Sequence, residues 1–139
     1  MEFNEAAYLL KLALLLKSKG DELVALQQSK YLKNHFSFFG LKAEERRKLI
    51  KFYFANGGEP PVDSLEKTIK KAYAFEEREM HYFAIELLER QKKKWQEAHL
   101  GLAVWLITNN SWWDTVDLIA TLLVGGLLKK FPTLIHHSD

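Results

Sequence analysis

Two tryptophans and two carboxylates fall within six residues of this chain, in the stretch Asn110-Ser111-Trp112-Trp113-Asp114-Thr115-Val116-Asp117. Ser111 followed three residues later by Asp114 reads as a capping box, which predicts a helix opening at Ser111. Trp113 and Asp117 are four apart, so a helix puts them on one face, one turn from each other. An indole beside a carboxylate makes a flat apolar wall with a fixed negative charge at its edge. Such a corner suits a planar, cationic substrate. Asp114 fits the cap and is not needed for chemistry. Trp112 points about 100° away from Trp113 and is expected inside. An isolated first-turn aspartate is ordinarily a surface carboxylate favoured by the helix dipole. The tryptophan on the same face is what makes Asp117 the catalytic candidate.

Other chemistry-bearing residues are less organised. Lysines and arginines come in groups: Lys30 and Lys33; Lys42, Arg46, Arg47, Lys48 and Lys51; Lys67, Lys70 and Lys71; Lys92 to Lys94; Lys129 and Lys130. Taken singly, each group reads as a solvated outer face. In a repeat protein, equivalent positions align into a stripe that could follow a phosphate backbone. The histidines (His35, His81, His99, His136 and His137) show no helical metal-ligand spacing, so no metal site is expected. Gly57-Gly58 and Gly125-Gly126 lack the flanking pattern of a phosphate loop, and no G-x-S-x-G elbow is present.

The elements that must position these residues read as helical almost throughout. Phe3 to Lys17 is apolar on most faces and suits a well-covered helix. Ser18-Lys19-Gly20-Asp21 reads as a stop, a C′ glycine and an N-cap for a second helix ending near Lys30. Phe36-Ser37-Phe38-Phe39-Gly40 is a loop too aromatic to be solvated, so it is expected to pack inward. A third helix spans Ala43 to Ala55, and Asn56-Gly57-Gly58-Glu59-Pro60-Pro61 breaks it. Asp63 to Tyr73 is a short helix. Arg78 to Gln91 carries Met80, Ala84, Leu87 and Leu88 at amphipathic spacing. Trp95 to Ile107 and Ser111 to about Leu128 complete the set, and Phe131 to Asp139 looks like the start of another helix. Short helices joined by short loops predict an all-α architecture of stacked antiparallel pairs. The spacing from Ala43 to Arg78 is about one HEAT-type repeat, with a plain bundle as the alternative.

The totals set the outer bounds. A chain of 139 residues, 47% hydrophobic and 27% charged, suits one globular domain with a real core. Without cysteine there is neither disulfide nor thiolate chemistry. The longest apolar run, Leu118 to Leu128, is far short of the roughly 20 residues a spanning helix needs, so no membrane partner is expected. The acidic N-terminus is no signal peptide, and the expected location is cytoplasmic. A net charge of +2 does not argue for nucleic acid by itself.

Two stretches in order carry a family resemblance. The first is Tyr31-Leu32-Lys33-Asn34-His35-Phe36-Ser37-Phe38-Phe39-Gly40-Leu41, continuing through Glu45-Arg46-Arg47. The second is Ser111 to Asp117, with Glu77-Arg78-Glu79 between them. Together they resemble the AlkD-like DNA alkylation repair family, alkylpurine DNA glycosylases built from HEAT-like repeats. The resemblance implies an all-α HEAT-like helical-repeat solenoid over residues 1–139, forming the N-terminal part of a longer family domain. It implies Asp117 as the catalytic aspartate, with Trp113 and Tyr31 as cleft residues that approach the DNA. The implied substrate is double-stranded DNA carrying cationic N3- or N7-alkylated purines, removed without base flipping and without a cofactor or metal. The resemblance also implies further repeats bearing an arginine and another cleft tryptophan. No residue of this chain takes those roles, which leaves the concave surface half built. An exposed terminal repeat would favour self-association through its apolar side. The rival expectations are a non-catalytic DNA-binding module and a HEAT-type protein-interaction scaffold.

Overall fold

A computed structural model describes residues 2–132 of the chain. Its elements are helical: α1 (Glu5–Lys19), α2 (Glu22–Tyr31), α3 (Ala43–Gly57), α4 (Leu65–Tyr73), α5 (Arg78–Arg90), α6 (Ala98–Thr108), α7 (Trp113–Ile119) and α8 (Gly125–Lys130). Short 3-10 turns precede α4 and follow α5, and a π-helical segment, Ala120–Val124, joins α7 to α8. The one strand-type pairing among the described residues is an isolated bridge between Ser37 and Glu77. The all-α expectation holds. The chain divides into two compact units, residues 1–84 and 85–139, and the division falls within α5. The helix expected after Phe131, and the self-association assigned to it, lie largely outside the described residues.

In the first unit, α1 starts where the Asn4 side chain accepts a hydrogen bond from the Ala7 N–H at 2.9 Å. It packs on α3 and α4 and buries Tyr8, Leu9, Leu12, Ala13 and Leu16. Only that face is covered: Leu10 and Leu14 stay more than half exposed, contrary to the well-covered helix the sequence suggests. Tyr53 donates its hydroxyl to the Tyr8 carbonyl at 2.6 Å, and burial pushes the Tyr53 phenol above its ordinary pKa. Asp21 caps α2 as expected, its Oδ1 accepting from the Leu23 and Val24 N–H groups at 2.9 and 3.0 Å. Gly20 is not left-handed. Its backbone is extended (φ −75°, ψ 156°), and it is glycine for room, because a Cβ there would lie 2.1 Å from the Phe39 carbonyl oxygen. The breaker after α3 works as read, with Gly58 at φ +77°.

In the second unit, the start expected at Trp95 falls three residues later, at Ala98. Trp95 is buried instead, its Nε1–H donating to the Leu88 carbonyl at 2.9 Å. Its ring lies so close to Gly126 that a Cβ there would sit 3.0 Å from it. α6 buries Leu102, Ala103 and Leu106 and packs on α7 and the π segment. From Trp113 to Lys130 the buried residues are Thr115, Ile119, Leu123 and Leu127, one in every four and all fully buried. Four residues overshoot one α-helical turn by about 40°. Three such steps would carry the stripe about 120° around a regular helix. The wider π turn rotates less per residue and sits in the middle of this run, so it takes the drift back. All four side chains then stay on the seam.

Candidate functional site

The corner that leads into α7 differs from the capping box. Trp112 is the N-cap residue, in an extended conformation and with no side-chain cap, and the helix begins at Trp113. Ser111 turns the other way, and its hydroxyl donates to the Ile107 carbonyl at the end of α6. The reason is local. Asn110 occupies the left-handed region (φ +51°), and Asn109 bonds back through Nδ2 to the Trp105 carbonyl at 2.8 Å. The corner therefore closes on the carbonyls of α6, and Asp114 is left in the first turn of α7. Trp112 is half-buried, in keeping with its expected inward position.

Trp113 and Asp117 stand one turn apart on α7, as the spacing requires. Trp113 is 49% exposed, and Asp117 is exposed. Among the described residues, the Asp117 carboxylate has no hydrogen bond or ion pair. Its main-chain carbonyl accepts from the Thr121 hydroxyl at 2.8 Å, at the entry to the π segment. The seam residues Thr115 and Ile119 lie two positions either side of Asp117, so the acid is held roughly opposite the buried stripe. This is an unengaged negative charge beside an indole, open to an incoming partner. Such a pair can stabilise positive charge on something that docks there.

Tyr31 is the last residue of α2, in the first unit, and is 71% exposed. The structure thus unites Trp113 with Asp117 on one element and carries Tyr31 on another unit. After Tyr31 the chain turns through Lys33 and Asn34, both non-glycine residues in the left-handed region (φ +58° and +60°). Lys33, Asn34 and His35 are all exposed. The aromatic stretch behind them turns inward only in part, with Phe36, Phe38 and Phe39 half-buried.

The basic groups are less uniform than the sequence suggests. Arg46 is only 7% exposed, and its guanidinium lies 4.6 Å from the centre of the Tyr82 ring, so it belongs to the interior. Lys130 donates through Nζ to the Lys92 carbonyl at 2.9 Å, tying the end of α8 to the turn after α5. Lys48, Lys70 and Lys92 pair with glutamates on their own helical surfaces, contacts worth little in water. An open groove beside α2 and α3 is lined by Asp21, Gly40, Lys42, Glu44 and Glu45 among others. Its charge is mixed, and it includes none of the three candidates. Among the described residues no cluster of histidines and carboxylates is arranged to hold a metal ion, and no helix is long and apolar enough to cross a membrane.

Two charged residues were not singled out as candidates by the sequence, yet both are sealed inside. Arg78 is fully buried and Glu79 is 1% exposed. Both serve the loop that follows Tyr31.

Comparison with known proteins gives one consistent direction. Residues 12–138 match the family described as DNA alkylation repair enzyme. A solved structure described as a predicted DNA alkylation repair enzyme from Enterococcus faecalis is similar at a TM-score of 0.71 and 27% sequence identity. The match covers 82% of this chain and 53% of that one, so the chain spans about half the length of that relative. No curated protein matches the chain significantly.

Proposed function

The chain belongs to the DNA alkylation repair enzyme family, and from that premise we propose that it works as a cytoplasmic DNA glycosylase built on HEAT-like repeats. The proposed reaction is hydrolysis of the N-glycosidic bond of cationic N3- or N7-alkylated purines in duplex DNA, without extrusion of the base. The observation that carries this reading is the exposed Asp117 carboxylate, unengaged among the described residues, one turn from the half-exposed indole of Trp113.

The chemistry follows from the substrate's charge. An alkylated purine is positively charged and leaves with the electron pair of the C1′–N bond as a neutral base. Positive charge then develops on the deoxyribose as an oxocarbenium ion. A carboxylate about 4 Å from that ion gains about 4 kcal/mol at an effective dielectric near 20. In the open, water screens most of this; a docked duplex displaces that water and restores it. If realised only in the transition state, it amounts to roughly a thousandfold in rate. Water adds at C1′, and the carboxylate can orient it and take up its proton. Trp113 lies against the cationic lesion or sugar, a contact of roughly 0.5–2 kcal/mol. Tyr31, on the other unit, is the further aromatic residue that approaches the DNA.

The test is release of 7-methylguanine from methylated duplex DNA, run on this chain and on a version extended at the C-terminus. Asp117→Asn should lower release by about 100- to 1,000-fold and leave duplex binding unchanged. Binding with a steep salt dependence but no base release in either version would point to a non-catalytic DNA-binding module. No binding at low salt would leave a protein-interaction scaffold.

A further inference from the structure

Glu79 opens α5 and is buried, yet it pairs with backbone and not with a neighbouring helix. Its two carboxylate oxygens accept hydrogen bonds from three successive N–H groups: Phe39 at 2.9 Å, Gly40 at 3.0 Å and Leu41 at 3.2 Å. Gly40 at φ +98° turns these donors to one side, which makes an anion-binding concavity. The protein fills it with its own carboxylate. Arg78, next in the chain, holds the preceding part of the same loop. Its main-chain N–H donates to the Ser37 carbonyl at 2.9 Å, and its guanidinium lies 3.6 Å from the centre of the Phe36 ring. The guanidinium is itself fixed by His81. Because it can only donate, His81 Nδ1 accepts at 3.1 Å, and Nε2–H donates to the Phe75 carbonyl at 2.7 Å. On the α2 side, the Ser29 hydroxyl donates to the Phe36 carbonyl at 2.8 Å, and the Asp21 N–H donates to the Gly40 carbonyl at 3.1 Å.

The base of the loop is therefore fixed at five of the six residues from Phe36 to Leu41, Phe36 and Ser37 by acceptance and Phe39 to Leu41 by donation to Glu79. Its tip holds Lys33 and Asn34 in the left-handed region, where their N–H groups donate to the Lys30 and Ser29 carbonyls at 3.0 and 2.8 Å. Those bonds tie the tip to the end of α2, and the Ser29–Phe36 bond joins that end to the base that Glu79 holds. The exposed side chains on that tip are cationic or hydrogen-bonding, and Tyr31 sits at its root.

We propose that Glu79 is a positioning residue for DNA binding: by gathering the Phe39, Gly40 and Leu41 N–H groups it holds the Tyr31–His35 tip in the shape that meets the duplex. The proposal rests on the DNA-repair reading above and extends it to a buried residue that touches no DNA. A pre-shaped tip avoids an ordering cost on binding. If loosening leaves about one tenth of molecules competent, the apparent Kd rises about tenfold.

The experiment is a double-mutant cycle on an unmodified duplex, read by Kd and by amide hydrogen exchange. Glu79→Gln should speed exchange at Phe39, Gly40 and Leu41 and weaken binding about tenfold. In a Tyr31→Ala background the same substitution should weaken binding less than twofold, while lowering Tm by the same amount in both backgrounds. A merely structural role would leave the two binding losses multiplicative, and that result overturns the proposal. So does faster exchange with unchanged Kd. Should Glu79→Gln fail to fold, Asn34→Gly loosens the tip without touching the buried charges. It should weaken binding severalfold with Tm unchanged or raised, and unchanged binding counts against the proposal. A wild-type chain that binds no duplex at low salt sinks the repair reading itself, whereas the exchange data speak to Glu79 alone.

Discussion

The loop after Tyr31 and the helix carrying Trp113 and Asp117 present exposed residues by opposite means. The loop is held by polar groups: a buried carboxylate, a buried guanidinium and a glycine with no room for a side chain. The helix is held by apolar packing along one seam, Thr115, Ile119, Leu123 and Leu127, with Asp117 on the far side. Directional bonds define a shape to fractions of an ångström but fail abruptly when one partner is lost. Packing tolerates substitution more gradually, in proportion to the volume removed. The exposed tip and the exposed acid–indole turn are thus built from different materials in the two units.

The sharpest way to break the comparison is Gly40→Ala. The residue sits at φ +98°, and a Cβ would lie 2.0 Å from the Asp21 carbonyl oxygen, which is backbone and cannot swing away. The expected loss is on the order of 4 kcal/mol, measured as the drop in the urea-unfolding midpoint. Leu123→Ala removes a fully buried side chain from the π segment. It should cost about 3 kcal/mol, and hydrogen exchange should rise along residues 113–130 without opening the Phe39–Leu41 amides. A loop that opened equally would erase the distinction. The smallest effect is Ser111→Ala. With no cap to lose, thermal unfolding should register less than about 0.5 kcal/mol, against about 1 kcal/mol for a true N-cap. A loss as large as that of Asp21→Ala would restore the capping box.

The sequence displays some of this directly because the forces involved are local. Asp21 caps α2 as read, since a cap needs only the next two or three N–H groups. The stripe of Met80, Ala84, Leu87 and Leu88 is fully buried because helical spacing alone puts it on one side. Trp113 and Asp117 share a turn for the same reason. What stayed hidden depends on partners far along the chain. Arg78 and Glu79 look like surface charges until the loop some 40 residues earlier folds over them, as the separation of Glu79 from Phe39 requires. Arg46 falls among solvated lysines in the sequence, and its burial against the Tyr82 ring makes it interior. The capping box failed because Asn110 turned the chain before Ser111 could face forward. The π turn has no propensity signature; its one trace is the strict four-residue period of the seam.

That wide turn has an evolutionary side. Deleting one residue between Ala120 and Val124 and closing a regular helix leaves eleven steps from Thr115 to the seam position of Leu127, about 20° past three full turns. A single codon lost there therefore leaves the acid and the indole aimed as before. The helix can change length at this point without rebuilding the corner it carries.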